Sequence, residues 1–134
     1  MGLILDTSAI ISLERNPHLW SAGGIPPDEE IIMPAIVWAE ALIGVRLADT
    51  AQRAAQRLSR LEKIHRITGV HAFTDVIAEH CADIFAELQQ KGSLIPQNDM
   101  QVAATARSLG FAVLVGRKDE AHFRRVDGLK VRIL

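Results

Sequence analysis

The stretch MGLILDTSAIISL, residues 1–13, decides how this chain is read. Leu3, Ile4 and Leu5 form a continuous apolar run. A run so short, with no alternation, reads as a strand buried on both faces. Asp6, Thr7 and Ser8 follow at once, and then the apolar-periodic Ala9, Ile10, Ile11 and Leu13. Ser8 or Thr7 can N-cap the helix that this period predicts. Asp6 then stands where a buried parallel strand ends and a helix begins, the edge of an open α/β sheet at which ligands bind. The plainer alternative is that Asp6 only caps the helix.

Further short apolar runs repeat the pattern. Ile31, Ile32 and Met33 predict a second buried strand, closed by Pro34, which suits the first turn of a helix. Phe111 to Val115 predicts another, and Lys130–Leu134 a last one. Strands alternating with helical segments predict an α/β protein with a parallel sheet. The 134 residues, 49% hydrophobic, suffice for one domain over 1–134 with a real core. The segment SAGGIPPDEE at 21–30 reads as a loop.

Composition excludes several classes. One cysteine, Cys81, allows neither an intrachain disulfide nor a zinc cluster. The N-terminus lacks a basic segment and Asp6 interrupts its apolar stretch, so no signal peptide is expected. No apolar run approaches membrane-spanning length, and a cytoplasmic protein is the expectation. Fifteen basic against sixteen acidic residues leave a formal net charge of -1, so any nucleic-acid surface must be local. Aromatics at 4%, with no tyrosine, disfavour binding of single strands by stacking alone.

The remaining segments each carry an acid in a telling place. Ile36, Glu40, Ile43 and Leu47 share one helical face, which embeds a carboxylate in an apolar stripe. A buried acid requires a partner or a metal, so Glu40 is either a ligand or half of an arginine salt bridge. Residues 50–63 predict an amphipathic helix with Leu47, Ala51, Ala54, Leu58 and Leu61 inward. Arg53, Arg57 and Arg60 line its other side, with Arg46 a heptad earlier; such a stripe holds phosphates or is a solvated face. A short strand is expected near His65–Ile67. Thr74 or Asp75 caps a helix reaching about Lys91, with Ile77, Cys81, Ile84, Phe85 and Leu88 inward. In LIPQNDMQVAATARSLG, residues 94–110, a helix begins near Asn98, which caps it or orients a neighbouring carboxylate. Asp99 shares the core-facing side of Val102, Ala103 and Ala106. Asp119 follows the strand at 111–115 as Asp6 follows the first, behind Gly116, Arg117 and Lys118. His122 reads as fixing the local turn.

In a right-handed βαβ arrangement all these junctions emerge on one sheet edge. Four carboxylates meeting there repel one another by several kcal/mol at intermediate dielectric. Hard divalent cations remove that repulsion, and oxygen ligands favour Mg²⁺ or Mn²⁺ over zinc. Such ions activate water and stabilise a phosphoryl transition state.

LILDTSAII, WAEALIGV at 38–45, IPQNDMQVAATA at 95–106 and DEAHFRRVDGL at 119–129 resemble the PIN-domain ribonucleases, and within them the VapC-type toxins of bacterial toxin–antitoxin pairs. The resemblance spans essentially the whole chain. It implies a three-layer α/β/α sandwich around a mainly parallel sheet, and hydrolysis of RNA phosphodiesters with Mg²⁺ or Mn²⁺. Asp6, Glu40 and Asp99 match the three best-defined acids and Asp119 the more variable fourth. Thr7 or Ser8 matches the hydroxyl that supports the first acid. Arg117 stands where the pattern often has threonine, and Asp127-Gly128 where it often has Pro-Gly. Arg117 and Lys118, with Arg46 and Arg53, are candidate RNA contacts. The resemblance also implies a homodimer and a small antitoxin that occludes the acidic site. Two rivals remain: a catalytically silent RNA- or protein-binding module of the same fold, and a phospho-acceptor domain with Asp6 as nucleophile. Leu5 and Ser8 stand where kinds of the latter carry further acids.

Overall fold

The computed structural model describes residues 2–20 and 25–134. The expected loop at 21–30 therefore lies partly, at 21–24, outside the described residues. In chain order the elements are β1 (Leu3–Leu5), α1 (Thr7–Arg15), a 3-10 turn (Pro17–Trp20), β2 (Ile31–Ile32), α2 (Ala35–Arg46), α3 (Ala51–Thr68), α4 (Asp75–Lys91), α5 (Gln97–Leu109), β3 (Ala112–Val115), α6 (Glu120–Arg124) and β4 (Val131–Ile133).

The four strands form one sheet in the order β2-β1-β3-β4, and every pairing is parallel. Leu3 sits opposite Ile31 on one side and Ala112 on the other, and Val113 opposite Val131. β1 and β3 are the central strands, and their residues are buried throughout. The chain leaves β1 toward β2 and later returns past it to β3. The right-handed rule for parallel crossovers then sets α1 and α5 on opposite faces. α1 packs on β3, and α5 packs on both β1 and β3. The result is the expected three-layer α/β/α sandwich. The direction of winding reverses between β1 and β3, and in open α/β sheets that switch point is where a crevice opens.

Several expectations change. β2 is two residues long, half-buried and at the sheet edge, so only Met33 of its apolar run is buried. The inner face of α2 is Val37, Ala41 and Val45; Ile43 and Leu47 are exposed. α3 continues to Thr68 through the residues expected as a strand at 65–67, because Leu61 and Ile64 carry its buried face one turn further before Gly69 caps it. Of the expected inward residues of that helix, Ala51 is exposed and Leu58 only partly buried. Phe85 on α4 is exposed, while Ile77, Cys81, Ile84 and Leu88 are buried as their spacing predicts. Pro96, not Asn98, is the N-cap of α5. Trp38 packs against the core with its ring 4.8 Å from that of His65.

Candidate active site

Asp6 is fixed by both of its neighbouring elements. Its N–H donates to the Leu114 carbonyl at 3.0 Å, which carries the β1–β3 ladder one residue past the strand. Its own carboxylate, rather than Ser8 or Thr7, caps α1: Oδ2 accepts from the Ser8 N–H at 3.2 Å and the Ser8 hydroxyl at 2.6 Å. That hydroxyl in turn accepts from the Gly116 N–H at 2.8 Å, so Ser8 ties the end of β3 to Asp6. Close approach is possible because position 116 has no Cβ; one built there would meet the Ser8 Cβ at 3.2 Å. Thr7 serves a different acid. Its hydroxyl donates to Glu40 Oε1 on α2 at 2.8 Å. Of the two hydroxyls that matched the first acid's support, Ser8 takes that place and Thr7 holds Glu40.

Asp99 lies in the first turn of α5, and its Oδ2 is 2.6 Å from His122 Nδ1 on α6. Asp119 occupies the N-cap position of α6 but makes no side-chain cap bond. These four acids border one cavity of about 620 Å³ at the β1/β3 switch point, together with Thr7, Ser8, Arg117, Lys118 and His122. The cations Arg117 and Lys118 stand on the exposed turn between β3 and α6. Arg46 and Arg53 do not border the cavity, nor does Asn98. Arg53 pairs with Asp49, and Arg57 of the same stripe pairs with Glu14. The salt bridge that spacing offered to Glu40 thus belongs to Glu14.

Burial pushes the Asp6 carboxyl above its ordinary range, and Asp99 adds to the rise; the hydrogen bonds from Ser8 oppose it. Asp99 is likewise raised, first by burial and further by Asp119 and Glu40, while His122 pulls it down. The acids therefore feel one another across the cavity. Among the described residues no three His, Cys, Asp or Glu side chains are already gathered into a metal-holding group. Three of the acids, Asp6, Glu40 and Asp99, are each occupied by a neighbouring hydroxyl or ring, and mutual repulsion opposes closer approach. An all-carboxylate set, with Asp6 and Asp99 raised, fits a hard divalent cation such as Mg²⁺ or Mn²⁺, which would relieve that repulsion.

His122 and Arg15 also border the cavity and were not among the sequence candidates. His122 lies three positions beyond Asp119, which one turn of helix turns to the same side. Arg15 follows Ser8 and Ile11 at offsets of seven and four, the period of one face of α1.

The PIN domain matches this chain over residues 3–129. The chain is similar to Ribonuclease VapC1 of Rickettsia felis, 34% identical over 135 residues that take in 98% of this chain and 95% of that one. It is similar to a chain in the crystal structure of VapBC-5, a member of the VapBC family of toxin–antitoxin systems from Mycobacterium tuberculosis. There the identity is 27% and the TM-score 0.76, over 100% of this chain and 98% of that chain. It shares the fold of a chain in VapBC2 from Rickettsia felis bound to a DNA fragment from its promoter, with a TM-score of 0.83 at 22% identity, over 100% of this chain and 99% of that one.

Proposed function

The chain belongs to the PIN-domain family, and from that premise we propose that it is a metal-dependent endoribonuclease, the toxin of a type II toxin–antitoxin pair. The observation that carries this reading is the shared cavity: four carboxylates from four separate segments border it at the sheet's switch point, with cations on its rim. Asp6, Glu40, Asp99 and Asp119 would hold Mg²⁺ or Mn²⁺. Such an ion supplies charge stabilisation at the phosphoryl oxygens and a more acidic water for in-line displacement.

The chain's own groups prepare the site. Ser8, itself held by the Gly116 N–H, holds Asp6, Thr7 holds Glu40, and His122 holds Asp99, each through one carboxylate oxygen. Hydrogen-bonded carboxylates keep a defined orientation toward a ligand. Arg117 and Lys118 would neutralise backbone phosphates, which sets position on the strand without reading sequence.

The relatives' structures are of toxin–antitoxin complexes, and a small antitoxin is the proposed partner, closing the cavity with a basic side chain against the acids. A homodimer belongs to the same proposal. Among the described residues no helix is long and apolar enough to cross a membrane; the cytoplasm is the proposed place of action.

The test is cleavage of RNA by the purified chain with Mg²⁺, beside Asp6→Asn and Asp99→Asn. Cleavage by the wild type alone supports the reading. Equal cleavage by either variant removes the site assignment. RNA binding that ignores Mg²⁺, with no products, favours the silent module. A mass increase of one phosphoryl group after exposure to a small phosphodonor favours the phospho-acceptor.

A further inference from the structure

The charge around the cavity is not neutralised from within. Arg15, Arg117 and Lys118 border it with the four acids, yet none of these cations forms an ion pair among the described residues. Elsewhere arginines are engaged: Arg53 by Asp49, Arg57 by Glu14, Arg107 by Glu87, Arg124 by Glu120 and Arg132 by Glu29. Acids and bases that do not pair with one another around one cleft suit a ligand that brings both signs, a cation for the acids and phosphates for the bases.

The three cations stand on two different walls. Arg117 and Lys118 are on the β3–α6 turn, whereas Arg15 is in the last turn of α1. Ser8, Ile11, Ser12 and Arg15 recur at helical spacing, and all four border the cavity, so one whole face of α1 is its wall. At about 1.5 Å per residue, nine residues set the Arg15 backbone roughly 13 Å along the helix from Asp6. Helical side chains lean toward the N-terminus, and Arg15 borders the cavity together with Ile11 and Ser12. The Ser12 hydroxyl is used, donating to the Ser8 carbonyl at 3.1 Å. Arg15 is thus the one charged side chain on this wall beyond the acids, at the end of α1 away from Asp6.

We propose that this face of α1 is a phosphate subsite, with Arg15 gripping the RNA backbone one or two nucleotides from the scissile bond. The proposal rests on the ribonuclease reading. It makes Arg15 a substrate-positioning residue, acting on how the strand lies rather than on the bond that breaks.

The experiment measures binding of a fluorescein-labelled, mixed-sequence RNA oligonucleotide by anisotropy across a range of salt concentrations. Full-length Asp6→Asn is the non-cleaving background. Adding Arg15→Ala should weaken binding roughly 3- to 10-fold and flatten the plot of log affinity against log salt by about 0.7, the loss of one single-strand phosphate contact. Arg15→Lys should keep the slope. In the cleaving chain Arg15→Ala should raise KM far more than it lowers kcat, with an unchanged melting temperature. Unchanged affinity and slope in Arg15→Ala, beside a weakened Lys118→Ala, would overturn the subsite and leave the ribonuclease reading standing. Failure of the wild type either to bind or to cut RNA would remove both.

Discussion

His122 Nδ1 lies 2.6 Å from Asp99 Oδ2, joining α6 to α5 across 23 residues of sequence. The contact engages one oxygen of Asp99, and both residues border the cavity. Carboxylate ligands hold an ion well when a neighbour fixes their angle. His122→Ala should therefore cut Mg²⁺ affinity and cleavage together, by about 10- to 100-fold. His122→Asn, which can return a donor near the Nδ1 position, should recover part of both. Mn²⁺ binding followed by electron paramagnetic resonance, beside the Mg²⁺ dependence of cleavage, reads the two effects separately. Metal binding in His122→Ala equal to wild type would reduce the residue to packing.

What could be read from the sequence divides along physical lines. β1, β3 and the acids after them were legible because a short apolar run followed by a polar break is a local signal. Asp99 was legible for the same reason, since Val102, Ala103 and Ala106 lie within two turns of it and are buried as expected. Glu40 was placed in the cavity by a stripe whose later members, Ile43 and Leu47, turn out exposed. Periodicity says which residues share a face, but not which way that face points. The strand expected near His65–Ile67 failed because the burial of Leu61 and Ile64, a tertiary effect, extends α3 to its glycine cap. His122 reads from the sequence as fixing the local turn and Arg57 as one of a basic stripe, whereas their partners, Asp99 and Glu14, lie 23 and 43 residues away.

The raised carboxyls of Asp6 and Asp99 make the metal-free protein oppose its own charge. An acid whose folded pKa lies above the ordinary 3.8 binds protons more tightly when folded. Its contribution to stability is fully present below that value and is lost as pH rises through the folded pKa. Asp6→Asn removes the charge while keeping a side chain that caps helices as well. In EDTA at neutral pH the variant should melt higher than the wild type, by roughly 3–5 °C for each 1 kcal/mol relieved. The gap should close as pH falls into the carboxylate range. Added Mg²⁺ should raise the wild-type melting temperature more than the variant's. Thermal melts across pH, with EDTA and with Mg²⁺, check all three. A variant that melts lower in EDTA at neutral pH would show that the Asp6 charge is already compensated.

Glu14, Gly44 and Arg57 bring three helices to one point. The Arg57 Nε–H is shared between both oxygens of the buried Glu14 carboxylate, at 3.2 and 3.3 Å, so α3 is tied to α1. The guanidinium lies against α2 at Gly44, where an added Cβ would fall 2.5 Å from Nη1. Removing Arg57 leaves a buried carboxylate without its partner. With the arginine partly exposed, Arg57→Ala should cost about 1–3 kcal/mol. Gly44→Ala has two opposed effects. It gains about 1 kcal/mol of helix propensity, and it pushes the guanidinium off Glu14. In the wild-type background the second effect should dominate and the protein should lose stability. In the Arg57→Ala background nothing remains to displace, and the same substitution should stabilise by about 1 kcal/mol. Denaturant melts of the four proteins measure the reversal. A Gly44→Ala that stabilises both backgrounds equally would mean that the guanidinium is not seated on α2.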